Sequence, residues 1–231
     1  MTQKVFITGA NRGIGLALAR KFVVNGDQVF ATARKPDDAV ELKALRSAGL
    51  TILKLDVADK DSIASSVAAL SVHTDSLDVL INNAGVNPKG AQSFDQIEAE
   101  TMMETFRVNI VAPLMVVKGF VDFLKNGTNP RIVNISSQMG SMAWQTHGGA
   151  YAYSPSKSGL NMVTRSLAAD LKPFGITSVM MHPGWVQTDM GGANASLTIE
   201  ESAEGIFAVV AGLSEADNGA FYDWNGDSRP W

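Results

Sequence analysis

The stretch Lys4-Val5-Phe6-Ile7-Thr8-Gly9-Ala10-Asn11-Arg12-Gly13-Ile14-Gly15 runs an apolar, strand-like segment into a glycine-rich turn and then into helical periodicity. Ile14, Leu18 and Phe22 recur every four residues, Ala19 and Val23 widen the stripe, and Asn25-Gly26 ends it. That is the pattern of a helix covering a sheet. Glycines at such a turn let the backbone bend sharply and approach a bound group without a Cβ clash. A helix opening there can hold a pyrophosphate on its free N–H groups. The turn alone does not separate a dinucleotide cradle from a plain strand-to-helix connection.

Outward from this unit, short β-branched runs alternate with helical stretches. Strands are expected at 4–8, 28–33, 51–54, 79–82, 132–135, 177–181 and 220–222. Further helices are expected from about 37 to 48, from about 60 to 72, and as one long element over 101–125 that Pro113 bends or breaks. Leu160, Val163, Leu167 and Leu171 give the next helix a core face, and Thr198-Ile199-Glu200-Glu201 forms a capping box for the last. The alternation predicts an α/β chain, residues 1–231 in one domain: a Rossmann fold, doubly wound, with a seven-stranded parallel sheet and helices on both faces.

Composition narrows the function. A chain of 231 residues with 45% hydrophobic and 18% charged residues supports a packed core and excludes a disordered polymer. A net charge of -4 without a basic run argues against nucleic acid as partner. There is no cysteine, so disulfides and thiolate chemistry are excluded, and the three histidines lack partners at metal-ligand spacing, so no metal is expected. His73 and His182 read as structural and His147 as loop packing. No run reaches the roughly 18 apolar residues of a membrane helix, and the start lacks a signal-peptide pattern. A cytoplasmic protein that does not bind membranes is expected.

Ligands of a doubly wound sheet sit beyond the carboxyl ends of the strands, which puts Tyr153-Ser154-Pro155-Ser156-Lys157 in view. Residues four apart share a helix face, so the phenol and the ammonium can enter one cleft. Bringing a free tyrosine, pKa about 10, into the neutral range takes about 4 kcal/mol. A cation about 4 Å away at an effective dielectric near 20 supplies about that much. Lys157 could thereby make Tyr153 a proton-transfer group, although an exposed polar pair at a helix start has the same spacing.

Taken together, residues 8–15, Asp56-Val57, Asn82-Asn83-Ala84-Gly85, Asn109, Ser136-Ser137, Tyr153 with Lys157, and Pro183-Gly184 resemble the short-chain dehydrogenase/reductase family from end to end. His182-Pro183-Gly184-Trp185-Val186-Gln187-Thr188-Asp189-Met190 and Arg229-Pro230-Trp231 are most similar to its carbonyl-reductase and C-factor-like branch. The resemblance implies hydride transfer between a nicotinamide and a carbonyl or alcohol. Ser137 would hold the substrate oxygen, Tyr153 would exchange its proton, Lys157 would grip the nicotinamide ribose, and Asn109 would anchor a proton-relaying water. Gly9, Asn11, Arg12, Gly13, Ile14 and Gly15 would cradle the cofactor. Asp56 with Val57 would meet the adenine, and Asn83, Ala84 and Gly85 would lie along the cofactor. Pro183, Gly184, Val186 and Thr188 would lie near the nicotinamide.

Two features depart from the common pattern. Ser137 and Tyr153 are 16 residues apart, so the intervening loop is expected to be enlarged and Ser136 stays an alternative hydroxyl. Pro155 fits a helix only in its first turn, which places the start near Ala152.

After the second strand, where a carboxylate would hold the ribose 2′-hydroxyl, stand Arg34 and Lys35. A guanidinium accepts a 2′-phosphate through paired hydrogen bonds, with Arg12 approaching from the other side, so NADP (NADPH) is the expected cofactor; a solvated turn before Pro36 is the plainer alternative. Met142, Trp144, Trp185 and Met190 flank the catalytic positions and are expected to wall an apolar substrate pocket. A small carbonyl or alcohol is the expected partner, and monomer, homodimer and homotetramer all stay open. The competing class is a cofactor-binding signalling or regulatory protein with little turnover, against which the intact Ser137, Tyr153 and Lys157 argue.

Overall fold

A computed structural model describes residues 2–45, 49–90 and 92–231. Seven strands, β1 (Lys4–Ile7), β2 (Gln28–Ala33), β3 (Leu50–Lys54), β4 (Val79–Asn82), β5 (Arg131–Ile135), β6 (Thr177–His182) and β7 (Phe221–Asp223), form one sheet. Their order is β3-β2-β1-β4-β5-β6-β7, and each neighbouring pair is parallel. Among the described residues seven α-helices accompany it: α1 (Gly13–Val24), α2 (Val40–Ala44), α3 (Lys60–Ser71), α4 (Ala99–Phe106), α5 (Ala112–Lys125), α6 (Tyr153–Leu171) and α7 (Ile199–Gly212).

Strand alternation divides the core in two. Val5 and Ile7 of β1 join Leu18 and Phe22 of α1 and Ile206 and Val210 of α7 on one face. Phe6, pointing the other way, packs with Leu70 of α3 and Val116 and Phe120 of α5, its ring 4.3 Å from that of Phe120. Burying a phenylalanine is worth about 2–3 kcal/mol. A one-residue slip would exchange the two faces, so the pattern pins the register.

From β3 at one edge the chain returns to place β4 beside β1, pairing Val5 with Val79 and Ile7 with Ile81. Connections after β1 and β4 therefore leave in opposite directions, and a crevice opens between them.

Beyond one-residue shifts at strand ends, two elements differ from the sequence expectation. The helix expected over 37–48 is a 3-10 turn (Pro36–Asp38), a break at Ala39 with ψ 64, and then the short α2; positions 46–48 lie outside the described residues. The long helix over 101–125 begins at Ala99 and is interrupted by a π-helical turn at Arg107–Val111, where the Ala112 N–H donates to Arg107 O five residues back. A straight helix would drive the Pro113 ring into the carbonyl of Asn109, and the wider turn avoids that clash. β7 ends at Asp223, one residue later than expected. Helix α6 starts at Tyr153 with Pro155 in its first turn, and Thr198 and Glu201 form the capping box of α7. Among the described residues no helix is long and apolar enough to cross a membrane.

Candidate active site

The crevice wall is a stitched pair of loops. Thr8 Oγ1 accepts from the backbone N–H groups of Asn83 and Ala84, both at 3.0 Å, while Asn83 Nδ2 donates to the carbonyls of Thr8 (2.9 Å) and Gly9 (3.1 Å). A Cβ at Gly15 would stand 2.4 Å from Asn83 Nδ2 and 2.5 Å from Gly9 O, so that position takes glycine alone. Gly13 has φ +55, and Arg12 before it is extended with no side chain capping α1. The helix start thus keeps donors for an anion. Arg12 pairs with Asp189 of the loop after β6 at 2.6 Å, both side chains being exposed. Thr188 of that loop accepts from Gly191 N at 3.1 Å. Ser202 Oγ donates to Pro183 O at 2.6 Å, which ties the loop's start to α7.

Arg34 and Lys35 are exposed just beyond β2, and among the described residues no carboxylate forms an ion pair with either. Asp56, two residues beyond β3, accepts from Ala58 N through Oδ1 at 3.0 Å, so part of its carboxylate caps a turn. Ile14 and Val57 pack against the two core faces, and Asn11 is exposed.

Facing this wall, the C-terminal end of β5, the first turn of α6 and the π turn converge. Tyr153, Lys157, Ser137 and Asn109 are all buried. Asn109 accepts from Val86 N (2.9 Å) and donates to Val86 O (2.8 Å) and Ser156 Oγ (2.9 Å), while Ser156 donates to Tyr153 O (2.6 Å). Gly85 is pressed in between, since a Cβ there would lie 3.2 Å from Asn109 Oδ1 and 3.6 Å from Lys157 Nζ. The Ser137 hydroxyl faces the Tyr153 phenol closely enough to lower its pKa and accepts from Met139 N at 3.2 Å. Ser136 points elsewhere, donating to Asn161 Oδ1 at 2.6 Å.

The electrostatics reverse the expectation built on the tyrosine–lysine pair. Burial raises the Tyr153 pKa, and the Ser137 hydroxyl only partly offsets it. Burial also lowers the Lys157 pKa to about 8. Its Nζ donates to Ile135 O at 2.9 Å and lies 5.7 Å from the centre of the Tyr153 ring. Desolvation opposes charge on both groups, and in this site it outweighs their attraction.

Beside this cluster lies a cavity of about 420 Å³ lined by Gln138, Met139, Trp144, His147 and neighbouring residues through Ala150. Of the four expected pocket residues it includes Trp144. Met142, Trp185 and Met190 are 71%, 52% and 49% exposed and do not line it, and Trp185 Nε1 donates to Gly191 O at 2.8 Å. Met139 and His147 line it without having been assigned to it. Gln92 was also missed: Oε1 accepts from Tyr153 N (3.1 Å), its backbone O accepts from Tyr151 N (3.1 Å), and it thereby fastens the loop after β4 to the start of α6. No periodicity signals a contact across 61 residues.

Residues 3–197 match the short chain dehydrogenase family. The chain is 44% identical over 163 residues to the protein named C-signal of Myxococcus xanthus, covering 71% of this chain and 98% of that one. Among solved structures it is similar to the carbonyl reductase Sniffer of D. melanogaster, at 36% identity and TM-score 0.95, with all of both chains covered. An NADPH-bound carbonyl reductase from chicken fatty liver matches at 36% identity and TM-score 0.94, over 100% of this chain and 99% of that one.

Proposed function

This chain belongs to the short-chain dehydrogenase family, an oxidoreductase family, and from that premise we propose that it reduces small carbonyl compounds with NADPH, Tyr153 delivering the proton. The observation that carries the reading is the buried Ser137–Tyr153–Lys157 cluster set across the crevice from the glycine-rich wall. The wall suits a dinucleotide, because the glycine-rich turn presents bare backbone beside the start of α1 and no side chain caps that helix. The exposed Arg34 and Lys35 suit a 2′-phosphate better than a free ribose hydroxyl.

When bound, the nicotinamide supplies the hydride. Ser137 holds the carbonyl oxygen by hydrogen bond and aligns it with the phenol. A buried Tyr153 with a raised pKa rests protonated, which is the form needed to donate to an oxygen becoming an alkoxide, a far stronger base than a phenolate. Lys157, when charged, offsets the phenolate left behind, and Asn109 holds Val86 and Ser156 so that the tyrosine keeps its aim.

The similarity to a protein named C-signal supports a second reading, in which the same fold signals and turnover is incidental. The test is consumption of NADPH and NADH with a panel of aldehydes, ketones and quinones. Tyr153→Phe should lose at least about a hundredfold in turnover with the NADPH dissociation constant nearly unchanged. Retention of more than about a tenth of the activity sinks the proton assignment, and a parent inactive on the whole panel favours the second reading. Arg34→Asp should weaken NADPH by about tenfold or more and leave NADH almost untouched. Equal parental affinity for both cofactors contradicts the NADPH choice.

A further inference from the structure

Beyond β7 the chain turns at Asn225 and Gly226 and comes back along itself. Tyr222 bridges to Ser228, Asp223 N donates to Asp227 O (2.8 Å), and Arg229 N donates to Phe221 O (2.7 Å). The hairpin carries Arg229 into the interior, where it is 7% exposed. Its Nε and Nη2 both pair with the Asp223 carboxylate, Nη2 at 2.5 Å. Among the described residues Nη1 has no hydrogen-bond partner, and the guanidinium carbon lies over the Trp144 ring, 4.1 Å from its centre. The residues that follow bind the cavity loop on the near side of the same tryptophan. Pro230 O accepts from Ser141 Oγ and Trp231 O accepts from Ala143 N, both at 2.8 Å. Arg165 of α6 lies over the Trp231 ring at 5.0 Å.

A staple for β7 would need the ion pair with Asp223 and nothing more. The contact with Trp144 is additional, and it falls on the largest aromatic side chain of the cavity wall. Trp144 is 53% exposed, and the loop beyond it is mostly exposed, so the indole has few other neighbours to fix its plane. We infer that Arg229 is a positioning residue that holds Trp144 as an aromatic platform, and that this platform makes the site prefer aromatic over aliphatic carbonyls. The inference rests on the carbonyl-reductase reading and adds a substrate class to it. A planar aromatic group gains stacking on an indole beyond the area it buries, whereas a saturated ring of equal size gains area alone. A guanidinium held against the indole keeps the ring in place.

The experiment compares kcat and KM for benzaldehyde and cyclohexanecarboxaldehyde, two aldehydes of similar size, at saturating NADPH. The variants are Trp144→Leu, Arg229→Met and the pair combined. Each single variant should raise the KM for benzaldehyde by about tenfold, and the double variant should go no further. The KM for cyclohexanecarboxaldehyde should rise less than that for benzaldehyde, so that the preference between the two narrows, while both kcat values and the NADPH dissociation constant stay within about twofold of the parent. Arg229→Lys keeps a charge opposite Asp223 and loses the planar fork. It should show the same loss of selectivity, and it carries the test if Arg229→Met does not fold. An unchanged ratio between the two aldehydes in Trp144→Leu or Arg229→Lys, or single effects that multiply in the double variant, overturns the inference alone. A parent that reduces neither aldehyde overturns it together with the reading beneath it.

Discussion

Lys157 is buried with its ammonium on one backbone carbonyl, and its pKa is lowered from 10.5 to about 8. Because the folded state disfavours the charged form, the cost is fully present below pH 8 and is relieved as pH rises from about 8 to 10.5. A shift of this size corresponds to about 3 kcal/mol, of which the lost hydrogen bond to Ile135 O would take back about 1 kcal/mol on substitution. Lys157→Met should therefore abolish turnover and yet raise the Tm of the cofactor-free protein at pH 7 by about 4–8 °C. The gap to the parent should narrow between pH 8 and 10.5. Thermal melts across that range decide the matter, and a lower Tm at pH 7 would mean that burial is not the origin of the shift. The spacing of Tyr153 and Lys157 was legible in the sequence, but the sign of the tyrosine shift was not. Spacing reports that two groups can meet, and desolvation depends on what the rest of the fold packs around them. The same limit explains Met142 and Met190, which neighbour the site in sequence while their side chains stay exposed.

The break between α4 and α5 shows how far an element can be read. Pro113 gave away the interruption, but not its π form, because the second cause is tertiary. Asn109 engages Val86 twice and Ser156 once, and these bonds hold the turn open from outside. Removing that side chain leaves the partly buried Val86 N–H and C=O without it and takes one bond from the buried Ser156 hydroxyl, a loss of about 1–3 kcal/mol in all. Asn109→Ala should lower Tm by about 5–10 °C and reduce turnover with it. Pro113→Ala, which returns a donor but leaves the three bonds in place, should change stability by less than about 1 kcal/mol. Should Pro113→Ala prove the more damaging of the two in a calorimetric comparison, the proline and not the asparagine maintains the turn. The helix expected over 37–48 failed for a local reason. Pro36 starts a 3-10 turn, and the non-helical Ala39 after it keeps α2 short.

At the scale of the whole molecule, the alternation of strands and helices was legible because each strand carries its own apolar run, and all seven appear within one or two residues of their expected places. Periodicity could not state their order, since nothing local to β1 or β4 says that the two are neighbours. That adjacency is a finding of the structure. It also has a kinetic meaning. The β1–β4 seam joins residues 74 apart in the sequence, through the pairs Val5–Val79, Phe6–Leu80 and Ile7–Ile81. β2 and β3, by contrast, are linked to β1 through short, nearly local crossovers. Loop-closure entropy makes the distant pairing the slower event. Two subunits of the sheet, β1–β3 and β4–β7, can thus collapse separately before they join. The crevice beyond β1 and β4 lies on that joint, so competence to bind the proposed cofactor should arrive last in refolding, and a molecule bound there would clasp two folding units together.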